Sequence, residues 1–269
     1  MNPENQNNQL QTRETIARDL EALGLKKGML VLVHSSLKSL GWVCGGQLAV
    51  IQALQDVVTE AGTIIMPTHS ADLTDPAEWC NPPVPDEWVP EIIAQMPAYD
   101  QERTPTMAMG AIPEAFRTYP DVKRSNHPIH SFAVWGKDQA IIAQNHSLNN
   151  GLGEESPIGY VYANGGYVLM LGTGYETNTS MHYAEHFVPE IKQIKQKSPI
   201  IENGARIWKE YSEPAYDETH FASIGALYEK EYDVTTGLVG QATARLVNQT
   251  ELVDFTKRKL IEKAAMTIK

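Results

Sequence analysis

Apolar residues alternate between two periods along this chain. Ile16, Ala17, Leu20 and Leu23 recur at helical spacing after Thr12, a plausible N-cap with Thr15 three residues on, and Gly24 ends the pattern. "MLVLVHSS" is a short, valine-rich apolar run and predicts a strand buried on both faces. A glycine-containing loop follows. "QLAVIQALQDVVTEAG" then places Val50, Ile51, Leu54, Val57 and Val58 on one helix face, with Gly62 as the stop, and "TIIMPTHS" predicts the next strand. This is a βαβ unit, so the two strands are expected parallel with a right-handed crossover.

The stretch 72–105 breaks the pattern. "DLTDPAEWCNPPVPDEWVPE" holds five prolines and two tryptophans and reads as a long ordered loop or insertion, because its aromatics need a surface to pack on. Further on, "AIPEAFRTYP" predicts a short helix, while "SFAVWG" and "YVLMLGTG" predict strands. "SPIIENGARIWKEY" carries Asn203-Gly204 between strand-like runs, a hairpin signal. Thr250 is a candidate cap for a last helix that turns Leu252, Phe255 and Leu260 inward. A parallel core plus a hairpin implies a mixed sheet. The polar residues 1–11 read as a frayed arm before a single domain spanning 12–269.

Composition narrows the function class. The chain has 269 residues and a formal net charge of −11, which disfavours nucleic acid and anionic membranes as partners. An acidic cleft would suit a cationic small molecule. No apolar run approaches the roughly 20 residues of a membrane helix. Two isolated cysteines, Cys44 and Cys80, make no disulfide framework, so a reducing cytoplasm is the expected compartment.

Candidate chemistry sits on loops at strand ends. "VHSSLKSLGWVCGGQ" joins the first strand to the next helix, where free backbone N–H groups and the helix dipole favour an anion. Ser35, Ser36 and Ser39 offer hydroxyls, Lys38 a charge, and Gly45 and Gly46 close backbone approach; the segment matches neither a Walker loop nor G-x-G-x-x-G. Arg103, Thr104 and Thr106 form a second candidate for phosphate or ribose. His34 and His69 both end strands and belong to the same carboxyl edge of the sheet, where open α/β sheets bind ligands.

"NTSMHYAEH" carries His182, Glu185 and His186 in the spacing H-x-x-E-H. Two readings of it stand. One is a zinc hydrolase, which requires a third ligand and a metal-bound water. The other is a single general base, with a carboxylate on its second ring nitrogen; Glu185, Glu176 and Asp217 are the candidates. Glu185 is placed three residues on, where the two side chains meet on one helix.

The ordered motifs "VHSSLKSLGWVCGG", "MPTHS", "RTPTMAMGAIPEAFR", "NHPIHSFAVWG", "SPIGYVYANGGYVLMLGTG" and "NTSMHYAEH" together resemble the aminoglycoside 3-N-acetyltransferase family, over nearly the whole chain and most closely its chromosomal members in Gram-positive bacilli. The resemblance implies a three-layer α/β/α fold around a central mixed sheet. It implies acetyl-CoA as donor, held along His34, Ser35, Ser36, Leu37, Lys38, Ser39, Gly41, Val43, Gly45 and Gly46, with help from Arg103, Thr104 and Thr106. It implies acetylation of the 3-amino group of a 2-deoxystreptamine aminoglycoside by a monomer or homodimer, with no bound metal. His182 becomes the general base of the N-T-S-x-H motif, and Asp217 resembles the family's distal acid. Tyr183 stands where the motif has leucine. Asp72, His69, Glu176 and Asp217 are then expected at the acceptor, with Asp75 and Glu78 extending an acidic wall, and Thr179, Thr106 or a backbone N–H at the oxyanion. Transfer to another amine is the alternative, and zinc hydrolysis a more distant one.

Overall fold

A computed structural model describes residues 9–267. The opening helix α1 (Arg13–Ala22) starts on a reciprocal cap in which Thr12 and Thr15 exchange side-chain and backbone hydrogen bonds. Residues 1–8 of the expected arm lie outside the described residues. Gln11, its last residue, is buried, and its amide and carbonyl bond Trp42 and Cys44.

The βαβ unit forms as expected: β1 (Leu30–Ser35), α2 (Gly46–Val58) and β2 (Thr63–Pro67), with β1 and β2 parallel. The sheet continues through β3 (Lys123–Arg124), β4 (Phe132–Gly136), β5 (Tyr167–Leu171), β8 (Thr235–Val239) and β9 (Ala242–Asn248), in the order β3-β4-β2-β1-β5-β9-β8. β5 is parallel to β1, whereas β4 and β9 run antiparallel to their neighbours. The sheet is therefore mixed, but not for the reason the hairpin suggested. β6 (Gln193–Glu202) and β7 (Ala205–Pro214) form a separate two-stranded sheet, turned at Asn203 and Gly204 with φ of 53° and 79°.

Alternation along the central strands divides two cores. Val31, Val33, Ile64, Met66, Leu169 and Leu171 face α1, α2 and the short helix α4 (Ala111–Phe116). Leu32, Ile65, Val168 and Met170 face α6 (Pro157–Ala163), α7 (His182–Glu185), α8 (Phe221–Glu231) and α9 (Gln249–Thr267). Strands covered on both faces read as unbroken apolar runs, which is why they were legible. Together these layers make the expected α/β/α sandwich.

The proline- and tryptophan-rich stretch contains a helix that its composition hides, α3 (Val89–Gln95). It packs on the hairpin: Trp208 Nε1 donates to the Ile93 carbonyl at 2.8 Å, and Arg206 Nε to that of Met96 at 2.7 Å. At the last helix the cap is Asn248, whose Oδ1 accepts from the Glu251 amide at 3.1 Å; Thr250 instead donates to the Tyr162 carbonyl. No helix among the described residues is long and apolar enough to cross a membrane.

Candidate active site

The chain leaves β5 through Gly172–Gly174 and arrives at α7 by two tight turns. Asn178, itself buried, caps the second turn by accepting from the Ser180 amide at 3.1 Å. This sets His182 at the first position of a four-residue helix and Glu185 one turn on. His182 Nδ1 and Glu185 Oε2 are 2.7 Å apart. A carboxylate only accepts, so Nδ1 carries a proton, which in the neutral ring leaves the lone pair on Nε2. Glu185 is 4% exposed. Its second oxygen accepts the amide of Asp217 at 2.9 Å, so both oxygens are held. The imidazole lies edge-on between Tyr216 and Phe221, with ring centroids at 5.1 and 4.7 Å.

Of the three candidate carboxylates, then, Glu185 meets His182. Asp217 contributes its backbone; its own carboxylate is exposed and accepts from Thr219. Glu176 is exposed on the preceding turn. His186 points elsewhere: its Nε2 hydrogen-bonds the Tyr216 hydroxyl at 3.0 Å, and burial pushes its pKa down to about 4. Within the H-x-x-E-H spacing, then, His182 pairs with Glu185 and His186 with Tyr216.

A cleft of about 910 Å³ opens along the carboxyl ends of β1 and β2. His34, Ser35, Ser36, Leu37, Lys38, Gly41, Val43 and Gly46 line one side of it. The loop can turn there because Gly45 and Gly46 adopt φ of 85° and 56° at the start of α2, which L side chains rarely adopt. Ser39 lies behind, its hydroxyl between Ser36 Oγ and the Gly172 carbonyl. The opposite side is Ala108–Ala111, Pro113, Thr173, Thr177 and Thr179, so the cleft reaches to within one turn of His182. Buried polar atoms along it, His34 Nε2, Ser35 Oγ and Thr173 Oγ1, have no hydrogen-bond partner among the described residues. Unsatisfied polar groups beside a cleft of this size are what an extended polar ligand would complete. Burial, with His182 adding to it, pushes His34 down to about 3 and keeps it neutral.

Arg103, Thr104 and Thr106 are not on this cleft. Arg103 folds back on Asp100 at 3.4 Å, Thr104 Oγ1 accepts from the Asp100 amide, and the Thr106 amide is taken by Glu114. The residues immediately after them, Ala108–Ala111, take their place; they carry no polar side chain by which sequence could have marked them. His69 lies against Phe132 and His130 and lines a second, smaller cleft. Asp72 is exposed; Asp75 is ion-paired with Lys197 at 3.5 Å and Glu78 is exposed on a turn, so no continuous acidic wall forms. Tyr216 was missed altogether, because a tyrosine 34 residues after His182 gives no signal until the hairpin brings the chain back.

A model of the aminoglycoside 3-N-acetyltransferase family matches residues 32–261. The SPbeta prophage-derived aminoglycoside N(3')-acetyltransferase-like protein YokD of Bacillus subtilis is 52% identical over 259 residues, covering 96% of this chain and 95% of its own. The crystal structure of YokD superposes with a TM-score of 0.94, at 51% identity and 96% coverage of both chains. AAC-IIIb in a binary complex with CoASH is similar at a TM-score of 0.84 and 29% identity, covering 95% of this chain and 98% of that one. AAC-VIa bound to sisomicin gives 0.84 at 28% identity, with 95% and 99% coverage.

Proposed function

This chain belongs to the aminoglycoside 3-N-acetyltransferase family, and on that premise we propose that it moves an acetyl group from acetyl-CoA to the 3-amino group of a 2-deoxystreptamine aminoglycoside, with His182 as general base. The observation that carries the assignment of the base is the 2.7 Å contact between His182 Nδ1 and Glu185 Oε2 beside a cleft of about 910 Å³.

Bound acetyl-CoA supplies an activated acyl group. The loop from His34 to Gly46 holds it, with Lys38 and the start of α2 facing its phosphates. His182 Nε2 takes the proton from the incoming amine. Glu185 keeps the ring in the required tautomer and stabilises the imidazolium that forms, and the Asp217 amide keeps Glu185 in place. General-base help of this kind is worth about 10²–10⁴ in rate. Thr179, at the inner end of the cleft, is the hydroxyl placed to donate to the developing oxyanion. Cys44 is exposed and off the cleft, so the route is direct transfer between two bound substrates. One chain contains the cleft and both members of the pair, so a monomer is sufficient. The exposed thiols of Cys44 and Cys80 suit the reducing cytoplasm.

Purified protein mixed with acetyl-CoA and an aminoglycoside is expected to release free thiol, read with a thiol reagent, and to yield the 3-N-acetyl product by mass spectrometry. No release across a panel of 2-deoxystreptamine compounds overturns the proposal.

A further inference from the structure

The pair formed by His182 and Glu185 leaves the second histidine of H-x-x-E-H without a part in proton transfer, yet that side chain is firmly held. His186 caps the end of α7, half-buried. Burial keeps it neutral, and its Nε2 and the Tyr216 hydroxyl are 3.0 Å apart. The Leu152 amide donates to the same hydroxyl at 3.3 Å. The next residue, Gly153, passes so close that a Cβ there would stand 3.0 Å from His186 Cε1. The far end of Tyr216 is thus tied to the end of α7 and to the loop before α6.

The near end of Tyr216 touches the base. Its ring centroid lies 5.1 Å from that of His182 and 5.7 Å from that of His186, so one tyrosine spans the two histidines of the motif. The following residue, Asp217, sets its amide on Glu185, and Phe221 meets His182 at 4.7 Å. One short segment therefore contacts both members of the pair. A single hydrogen bond at Nδ1 leaves an imidazole free to pivot about that contact. Aromatic rings packed against it remove the freedom, provided that they are themselves fixed. For Tyr216 the hydroxyl bond supplies that fixing, since the backbone alone leaves its side-chain torsions open. Misplacing a reacting group by about 1 Å costs up to about 10²-fold in rate, so such a restraint on the base has a kinetic consequence.

We infer that Tyr216 is a positioning residue for the base, and that His186 is the latch that holds Tyr216 against His182. The inference rests on the acetyl-transfer reading and extends it: both histidines of the motif serve the reaction, one by taking the proton and one by fixing the ring that aims it. Neither Tyr216 nor His186 lines the donor cleft, so the latch acts on kcat and not on acetyl-CoA binding.

The test is a double-mutant cycle on kcat, read by thiol release with both substrates saturating. Tyr216→Phe keeps the ring and removes the hydroxyl; His186→Leu removes the other partner. Each is expected to lower kcat about 3- to 10-fold, the rate equivalent of one neutral hydrogen bond, with KM for acetyl-CoA within about two-fold of wild type. The double variant is expected to be no slower than the slower single one, because both changes break the same bond. His186→Gln, whose amide also bonds a hydroxyl, is expected to recover most of the loss. Urea melts on the same proteins separate folding from alignment: a lowered midpoint with wild-type kcat overturns the inference, as does a loss that multiplies in the double variant or that His186→Gln fails to recover. His182→Ala is measured beside them. If it keeps full turnover, the base assignment falls and the latch with it; if it is inactive while Tyr216→Phe and His186→Leu match wild type, the latch alone is refuted.

Discussion

Acidification from pH 7 to pH 5 is expected to destabilise this protein far more than its surface charges would. Five histidines around the site are held neutral by burial: His34 and His146 are pushed down to about 3, His186 to about 4, and His69 and His127 well below the ordinary range. The sign follows from linkage. Each group binds its proton in the unfolded chain near pH 6.5 but not in the folded one, so stability is full above that value and is lost as pH falls toward the folded pKa. Over the two units from pH 7 to 5 each such histidine contributes about 2 kcal/mol of lost stability, and five together about 10, which rivals the whole folding free energy of about 5–15 kcal/mol. Carboxylates held low, such as Asp100 and Asp217, act in the same direction but only at lower pH, below their unfolded values near 4. The assay is urea unfolding at half-unit steps of pH, plotted as unfolding free energy against pH. The slope near pH 5 is expected to correspond to an uptake of about five protons on unfolding, and His186→Leu should remove one of them. A slope below two protons, or one indifferent to His186, refutes the reasoning.

His182→Ala is expected to abolish thiol release while leaving the Kd for coenzyme A, measured by calorimetry, within about two-fold, since His182 is not on the donor cleft. Glu185→Gln should lower kcat about 10²- to 10⁴-fold with a small change in KM, whereas Asp217→Asn should stay within a few-fold of wild type, because only its backbone touches the pair. Gly225→Ala would set a Cβ 2.1 Å from Tyr175 Cγ and should lower stability by about 1–3 kcal/mol in urea melts; an unchanged midpoint would show that Tyr175 moves aside freely.

The layers were readable because burial on both faces leaves a run of apolar residues, and because helix starts and stops have local signatures. β1, α2, β2, β4, β5 and the hairpin all carried such marks. The edge strand β8 and its neighbour β9 did not: "TTGLV" is largely exposed, so neither alternation nor an apolar run distinguishes it from a loop. The hairpin was visible but its place was not, since a turn signal specifies which strands pair and says nothing about which sheet they join. The same division runs through the site. His182 and Glu185 sit three residues apart, and helical geometry alone brings them together. Most of the glycine loop proposed to hold the donor was likewise local, a strand end followed by a helix start.

What the sequence determined by itself was therefore everything set by neighbours within about one turn: the caps, the buried strands, the loop at the end of β1, and the imidazole–carboxylate pair. What only the tertiary structure decided was which distant groups arrive there. Setting the Asp217 amide on Glu185, lining the cleft with Ala108–Ala111 rather than Arg103, and bringing Tyr216 against His182 all depend on where β7 and the loop after β2 end up. Those contacts span tens of residues, and packing and desolvation over that distance leave no periodicity or spacing in the chain from which to read them.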